Sequence, residues 1–167
     1  MTDKNSSDAK EKLSANVGRL LNDLAKDFEL RTLKKCHARG YKEIRSSHCS
    51  FLANLGFEQT RLTDLALRAS ITQQAMGKLV RELEEFGYIQ REIDSSDKRA
   101  KLISLTSRGE ALLHDTLEII DEVVAEYTEK LGADSVCSLT QTLRLCIAKL
   151  AIPTFIASDS YAMEEVD

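Results

Sequence analysis

The chain has 167 residues, 43% of them hydrophobic and 30% charged, with a formal net charge of −4. A chain of this length and composition can bury the core of one globular domain without disulfide or metal staples. No apolar run approaches the ~20 residues that span a bilayer, and the polar N-terminus lacks the apolar stretch of a signal peptide. We therefore expect a cytoplasmic protein without membrane contact.

The charged residues are distributed unevenly along the chain. Residues 109–167 hold 12 Asp and Glu against 3 Lys and Arg, whereas residues 1–108 hold more basic than acidic side chains. The negative net charge therefore does not exclude a nucleic-acid partner for the middle of the chain.

The first predicted element is a long helix that follows disordered residues 1–11. Its apolar residues recur at spacings of three and four from Leu13 to Phe28, and it is expected to continue to about Cys36 and to end near Gly40. A second helix is predicted over Ser46–Leu55, where Gly56 ends it.

Two further helices with a tight turn between them are predicted next. The first covers Leu62–Ala69, and the second is capped by Thr72 and runs to about Phe86. This order predicts a helix-turn-helix, whose second helix lies in the major groove and reads base edges. The candidate DNA contacts are the polar residues and the glycine opposite its apolar face: Thr72, Gln73, Gln74, Gly77, Lys78 and Arg81. An exposed Gly77 would let the backbone approach DNA closely, although an ordinary solvated helix surface would carry the same residue types.

The hydrophobic period then changes to two, which predicts a β-hairpin. Its strands are Tyr88–Asp94 and Lys101–Thr106, and a polar turn over 95–100 joins them. A guanidinium at this tip, that of Arg99, can enter a narrow minor groove, and Asp97 can hold it in place. A flexible charged turn without a ligand is the alternative.

Two helices complete the chain. The first begins at Ser107 with a heptad-like apolar stripe from Leu113 to Leu131, and the second runs from Val136 to Leu150 before Pro153. The acidic tail beyond them is expected to be loose. The four cysteines form no CxxC pair and no zinc-finger spacing, so we expect reduced, mostly buried thiols: Cys36, Cys49, Cys137 and Cys146.

Residues 62–109 resemble the winged helix-turn-helix of MarR-family regulators. The wing signature of that family is Asp-x-Arg, an apolar strand and then Leu-Thr-x-x-Gly. The residues that match it in order and spacing are Asp97, Arg99, Ile103, Leu105, Thr106 and Gly109. The Leu-Glu-x-x-Gly pattern that ends the family's recognition helix is matched by Leu83, Glu84 and Gly87.

The resemblance implies a mainly α (α+β) fold, a winged helix-turn-helix with long N- and C-terminal dimerisation helices. The chain would divide into a disordered N-terminus (1–11), an N-terminal dimerisation helix and loop (12–45), a DNA-binding lobe (46–109), C-terminal dimerisation helices (110–156) and an acidic tail (157–167). A homodimer of this kind places two recognition helices ~34 Å apart on a pseudo-palindrome. The implied contacts are major-groove bases and nearby phosphates for Thr72, Gln73, Gln74 and Lys78, the minor groove for Arg99, and phosphates for Lys98 and Lys101.

Many relatives release DNA when a small, often phenolic or anionic, ligand enters a cleft between the dimer helices and the lobe. A basic run from Arg31 to Arg45 can attract such an anion, with aromatic side chains as the wall of the cleft. The predicted ligand site consists of Phe28, Arg39, Tyr41, His48 and Phe51. A solvated basic surface, or contact with flanking phosphates, is the simpler explanation of the basic run.

The sequence thus predicts a MarR-like repressor that binds duplex DNA as a homodimer and is released by a small molecule. One alternative is a winged-helix module for protein–protein contact. The other is a thiol-based redox-sensing regulator, which is not favoured because Cys36 lies late in its helix without the tyrosine partners of thiol-sensing relatives. We find no glycine-rich phosphate loop, nucleophile elbow or metal-ligand set, so we expect no enzyme activity, cofactor or metal.

Overall fold

The computed structural model describes residues 16–94 and 101–152, and its elements are helical apart from a small sheet. The helices are α1 (Val17–Ala38), α2 (Ser46–Leu55), α3 (Leu62–Arg68), α4 (Gln73–Glu85), α5 (Ser107–Leu131) and α6 (Ala133–Lys149). The strands are β1 (Thr60–Arg61), β2 (Ile89–Ile93) and β3 (Lys101–Leu105). This confirms the predicted mainly α fold with a winged helix-turn-helix. The expected disorder of 1–11, the hairpin tip at 95–100 and the acidic tail lie outside the described residues.

The middle of the chain folds around one apolar core. Helices α2, α3 and α4 and the sheet contribute fully or almost fully buried side chains to it, among them Phe51, Leu65, Met76, Val80, Tyr88 and Ile103. These residues lie at the helical and strand spacings from which the elements were predicted, because the same periodicity that defines each element places its apolar residues on one side. The core therefore fixes which side of α4 faces outward.

The sheet has the strand order β1–β3–β2, with both pairings antiparallel. Ile103 at the centre of β3 is paired with Thr60 on one side and with Arg91 on the other. The hairpin was predicted, whereas β1 was not, because two residues are too few to show an alternating pattern. Strand β1, which directly precedes α3, therefore connects that part of the chain to the β2–β3 hairpin.

Helices α1 and α5 pack against each other and form a second, smaller core of Cys36, Ile119 and Val123. The buried residues of α5 include Leu112, Leu113, Thr116, Ile119 and Val123. Three residues of the predicted stripe, Leu117, Val124 and Leu131, are exposed in the single chain. Helix α6 has no buried residue at all. Over the described ranges, no helix combines the length and the apolar character that crossing a membrane requires.

Candidate nucleic-acid interface

Helix α4 is presented to solvent by a tight turn that follows α3. The Ile71 N–H donates to the Ala66 carbonyl at 3.1 Å, and Ser70 between them takes a positive φ of 52°. The Thr72 hydroxyl then accepts the Ala75 N–H at 3.2 Å, which confirms the predicted N-cap. This cap satisfies one of the backbone donors that the first turn of a helix leaves without a partner.

The outward side of α4 carries most of the predicted DNA contacts. Met76, Val80 and Leu83 are buried in the core. The polar residues on the other sides of the helix are exposed: Thr72, Gln73, Gln74, Lys78 and Arg81. We call these five residues the α4 polar face. Amide side chains can read adenine and lysine can donate to guanine, so the face carries groups able to read base edges.

Gly77 differs from its predicted setting. The sequence predicted an exposed glycine, but Gly77 is half-buried, and a Cβ added there would lie 4.0 Å from Leu62 Cδ1 of α3. That distance is an ordinary van der Waals contact. Gly77 therefore faces the preceding helix of the pair, and its position gives no support to a close approach of the backbone to DNA.

The cations of the α4 polar face differ from neighbouring arginines in their pairing. Within residues 16–94 and 101–152, Lys78 and Arg81 form no ion pair, and neither does Lys101 at the start of β3. By contrast, Arg45 pairs with Glu82 and Arg91 pairs with Glu84. The hydrogen bond from the buried His48, together with Arg45, lowers the pKa of Glu82. Glu82 and Glu84 of α4 are thus occupied by other cations, and Lys78 and Arg81 have no ion pair in the described residues that would compete with an anionic partner.

The base of the hairpin is held by a buried carboxylate that sequence reasoning missed. Asp94, only 6% exposed at the end of β2, accepts a hydrogen bond from Arg61 Nε at 2.9 Å. Arg61 belongs to β1, the strand that was not predicted, so no pattern in the sequence linked the two residues. The predicted tip residues Asp97, Lys98 and Arg99 lie outside the described residues. Lys101, the first residue of β3, is exposed.

A second network joins the hairpin to α5. The buried Tyr88 donates its hydroxyl hydrogen to Glu43 Oε1 at 2.7 Å, and the Arg108 guanidinium lies 4.3 Å from the centre of the Tyr88 ring. Arg108 also donates to Glu43 at 2.7 Å. Burial and the Glu43 carboxylate raise the pKa of Tyr88 to about 12, so the phenol stays a donor at neutral pH. The start of β2 is therefore fixed to the start of α5.

The five predicted ligand-site residues are divided between two packed regions and do not line one open cleft. His48 and Phe51 are fully buried in the core of the α2–α4 lobe. Phe28 packs on the smaller core, where it meets Tyr127 with ring centres 6.0 Å apart, and Tyr41 packs against both cores. Arg39 is bound by the carboxylates of Asp115, Glu118 and Glu122.

Three residues of the basic run, Arg31, Lys35 and Arg39, pair with carboxylates of α5, whereas Lys34 and Lys42 are exposed. Arg31 pairs with Glu126 at 3.1 Å, and Lys35 pairs with Glu122 at 2.8 Å and with Glu126 at 2.9 Å. Arg39, one turn further along α1, pairs with the carboxylates of Asp115, Glu118 and Glu122. We call this set of ion pairs the α1–α5 ladder. It leaves little free positive charge on these three residues to attract an anionic ligand.

Two expectations about the cysteines are also corrected. Cys137 and Cys146 are exposed on α6, not buried. Cys36 is buried, as expected, but the prediction that it lacks tyrosine partners was wrong, because Tyr41 and Tyr127 pack against its cluster. Among the residues described, no group of three or more potential metal ligands is gathered.

Comparison with known proteins points to one family. The family model of MarR matches residues 57–101. The transcriptional regulator HosA of Escherichia coli O157:H7 is 30% identical over 89 residues. The match spans 53% of this chain and 64% of HosA, which is less than two thirds of that protein. A MarR-family transcriptional regulator of Rhodococcus sp. RHA1 is 27% identical, with a TM-score of 0.67 over 86% of this chain and 98% of that one. CouR of Rhodococcus jostii RHA1, solved bound to p-coumaroyl-CoA, is 26% identical, with a TM-score of 0.62 over 87% of this chain and 98% of CouR.

Proposed function

We propose that this chain is a transcription regulator of the MarR family and that it binds duplex DNA through α4 and the β2–β3 hairpin. The observation that carries the proposal is the α4 polar face. There Lys78 and Arg81 stand exposed beside Gln73 and Gln74, without acidic partners in the described part of the chain. A helix of this kind, capped at its start and packed on a preceding helix, has the geometry that enters a major groove.

The residues of the face take different roles in this proposal. Gln74 and Lys78 contact base edges, since their side chains match the adenine and guanine patterns of the major groove. Thr72, Gln73 and Arg81 contact bases or the flanking phosphates, and Lys101 contacts phosphate at the foot of the hairpin. The resemblance adds Arg99 in the minor groove, with Asp97 positioning it and Lys98 on phosphate. Phosphate contacts fix the orientation, and base contacts supply the specificity.

We further propose that the working form is a homodimer built from α1, α5 and α6. Apolar side chains on these helices remain in solvent in the single chain, with Val17 70% exposed and Leu131 56% exposed. The others are Leu20, Leu21, Leu117, Val124, Leu143, Leu145 and Leu150. Exposed apolar surface on this scale is characteristic of an interaction surface, and two-fold pairing would place two α4 helices on one face of the duplex.

The finer parts of the proposal are repression and release by a small molecule. Their support is the match to the MarR family model and the similarity to CouR, which was solved bound to p-coumaroyl-CoA. An effector would have to bind differently to the DNA-bound and released conformers in order to shift their equilibrium. In the single chain His48 and Phe51 are buried and Arg39 is bound by carboxylates, so we propose that an effector cleft involves the second protomer or a movement of the lobe.

The test is selection of bound duplexes from a randomised pool, followed by titration of the enriched duplex at several salt concentrations. We expect affinity to fall steeply with salt, because phosphate contacts release counterions. Lys78→Ala/Arg81→Ala should weaken binding at least about tenfold and flatten the slope of log K against log salt by about one unit for each phosphate that the variant no longer neutralises. Lys34→Ala, which removes one exposed positive charge from α1, is the matched control.

Two outcomes would contradict the proposal. If no duplex is enriched at low salt, the chain is not a duplex-binding protein, and a protein-contact module becomes the better explanation of the fold. If a duplex is enriched but the α4 double variant binds like the Lys34 control, then DNA is bound through another surface.

A further inference from the structure

A fully buried histidine, His48 in the first turn of α2, connects that helix to α4. Its Nε2 atom lies 3.0 Å from Glu82 Oε2 of α4. Its ring also meets the ring of Phe86, the C-cap of α4, edge to face with the centres 5.9 Å apart. Because the His48 side chain has no exposed surface in the single chain, it acts through these neighbours and not by direct contact with DNA.

The hydrogen bonds of His48 define which ring nitrogen carries the proton. The Arg45 N–H donates to Nδ1 at 3.4 Å, so the proton of the neutral ring is on Nε2 and is donated to Glu82. The Arg45 guanidinium donates to the same oxygen, Glu82 Oε2, and its Nη2 atom lies 3.2 Å from His48 Nε2. Two donors this close together are held by the charge of the carboxylate between them.

The two partners of Glu82 differ in their exposure to solvent. The Arg45 side chain is 57% exposed, so water and salt weaken its attraction for Glu82, whereas the His48 side chain is 0% exposed. The His48 hydrogen bond is also the main cause that lowers the pKa of Glu82. His48 is therefore the partner that chiefly sets the position of the carboxylate.

The position of Glu82 matters because it lies one helical turn after Lys78 on α4. Side chains four positions apart on a helix are neighbours, and a carboxylate at that spacing attracts a lysine. The Glu82 carboxylate is instead bound by Arg45 and His48 from α2, and Lys78 is exposed without an ion pair to any residue that the structure describes. The attachment of Glu82 to α2 thus leaves the Lys78 ammonium available.

We propose that His48 is a positioning residue for duplex recognition, which keeps the Glu82 carboxylate bound to α2 and thereby leaves Lys78 free to bind DNA. This inference rests on the function proposed above. Without the imidazole donor, Glu82 can pair with Lys78, and its negative charge then lies close to the phosphates of the duplex. A histidine that only stabilises the lobe would have no effect on the charge of the α4 polar face.

Two amide variants separate the bond to Glu82 from the rest of the histidine. His48→Gln keeps an N–H donor of similar reach to Nε2, whereas His48→Asn keeps an acceptor near Nδ1 but is too short to reach Glu82. Both remove the ring, so the loss of packing is common to both. We expect His48→Asn to bind the enriched duplex at least about fivefold more weakly, with a salt slope flatter by about one unit, and His48→Gln to stay within about twofold of the wild type. Circular dichroism at the titration temperature shows whether each variant is folded.

A second substitution tests whether His48 acts through the charge of Glu82. Glu82→Gln removes that charge and should raise the affinity of His48→Asn at least about fivefold more than it raises the affinity of the wild type. Glu85→Gln is the matched control, because it removes a charge from an exposed position of α4 that forms no ion pair within the described ranges. It should raise the affinity equally in both backgrounds.

A variant of Glu82 alone provides the same test if His48→Asn does not fold. Glu82→Asp keeps the negative charge on α4, but its carboxylate is one methylene shorter and should not reach His48 Nε2. The Glu82 side chain is 23% exposed, so the shorter side chain should be tolerated. We expect Glu82→Asp to bind the duplex more weakly than Glu82→Gln, and equal affinities of these two variants would contradict the proposal.

Titration of the Glu82 carboxyl followed by NMR measures the attachment without DNA. Glu82 should titrate below the ordinary value of 4.5 in the wild type and in His48→Gln, and closer to 4.5 in His48→Asn. The positioning role is overturned if Glu82 titrates alike in the wild type and His48→Asn, or if Glu85→Gln restores binding as well as Glu82→Gln. If the wild type binds no duplex while Glu82 titrates as expected, the proposed function is rejected, and the attachment of Glu82 to His48 still stands.

Discussion

Gly109, in the first turn of α5, lies so close to Tyr88 that a Cβ at position 109 would stand 1.9 Å from the Tyr88 carbonyl oxygen. The same oxygen accepts the Thr106 N–H at 3.0 Å, and Thr106 also caps α5 by accepting the Gly109 N–H at 3.1 Å. The glycine of the Leu-Thr-x-x-Gly motif is therefore required by the approach of α5 to the start of β2. Its φ is not positive, so conformational freedom is not the reason.

Gly109→Ala should destabilise the protein strongly. The new Cβ would meet backbone, which cannot rotate away, so α5 must move off β2 and give up the Thr106 cap geometry and the packing of Leu105. We expect the free energy of unfolding to fall by about 3 kcal/mol, at the upper end of overpacking penalties. Urea denaturation followed by circular dichroism measures it, and a change below about 1 kcal/mol would show that α5 does not dock as described.

Gly77→Ala is the matched glycine variant with the opposite expectation. A Cβ there meets only Leu62 Cδ1 at 4.0 Å, and alanine favours a helix over glycine by roughly 0.5–1 kcal/mol, so the variant should be slightly more stable than the wild type. Its affinity for the enriched duplex should change less than about twofold. A large fall in affinity in a stable variant would restore the prediction that the backbone at Gly77 approaches DNA.

The two glycines show where sequence reasoning succeeded and where it stopped. The helix-turn-helix and the hairpin were predicted because their apolar residues repeat at 3.6 and at two, and the repeat places side chains without knowledge of partners. The reason for Gly109 was not accessible, since it depends on a backbone atom 21 positions earlier in the chain. Motif matching identified the glycine, and only the fold explains it.

The side of α5 that packs against α1 was not predicted, and the reason is similar. Leu113, Leu117 and Val124 form a credible stripe, but Leu112, Ile119 and Val123 form another one position earlier, and the sequence alone does not say which one meets α1. One available signal was missed. Arg31, Lys35 and Arg39 are spaced by four on α1, and Glu118, Glu122 and Glu126 are spaced by four on α5. Opposite charges at matched spacings on two helices can form ion pairs between them when the helices pack side by side.

The α1–α5 ladder should make stability depend on acid pH. Hydrogen bonds from Lys35, and then from Arg39 or Arg31, hold the pKa values of Glu122 and Glu126 below the ordinary value of 4.5. A carboxyl with a lower pKa in the folded state binds fewer protons than in the unfolded state, so its stabilisation is present above about pH 4.5 and is lost as the pH falls through the folded pKa. Urea midpoints measured between pH 7 and pH 3 should therefore fall.

Glu122→Gln/Glu126→Gln tests whether the ladder causes that fall. The double variant should be less stable than the wild type at pH 7, and the difference between the two should shrink toward zero as the pH approaches 3. Glu129→Gln, an exposed position of α5 that forms no ion pair within the described residues, is the control and should follow the wild-type curve. Because the ladder is solvent-exposed, ~1 M NaCl should reduce the pH 7 difference. Parallel curves for the wild type and the double variant would assign the acid sensitivity to other carboxyls.

Variants of Thr72 can distinguish its role in capping α4 from a direct contact with DNA. Thr72→Ala removes the acceptor of the Ala75 N–H and should lower the free energy of unfolding by about 1 kcal/mol, with weaker duplex binding. Thr72→Ser keeps the hydroxyl and should restore the stability. If Thr72→Ser is stable but still binds poorly, the threonine methyl contacts DNA directly, whereas full restoration of binding shows that the residue acts through the cap.

Gln74 and Lys78 lie one turn apart on the α4 polar face, so variants at the two sites can distinguish base reading from charge. An amide donates and accepts at adenine without neutralising a phosphate, so Gln74→Ala should change which bases are enriched at one position of the duplex, by about 1–3 kcal/mol of discrimination, and leave the salt slope unchanged. Lys78→Arg keeps the charge but alters the geometry at guanine, so it should preserve the salt slope more fully than the affinity. Selection from the randomised duplex pool with each variant measures both quantities. A uniform fall in affinity across all sequences in Gln74→Ala would show that this side chain only contacts the backbone of the duplex, and the reading of bases would then have to be assigned to other residues of α4.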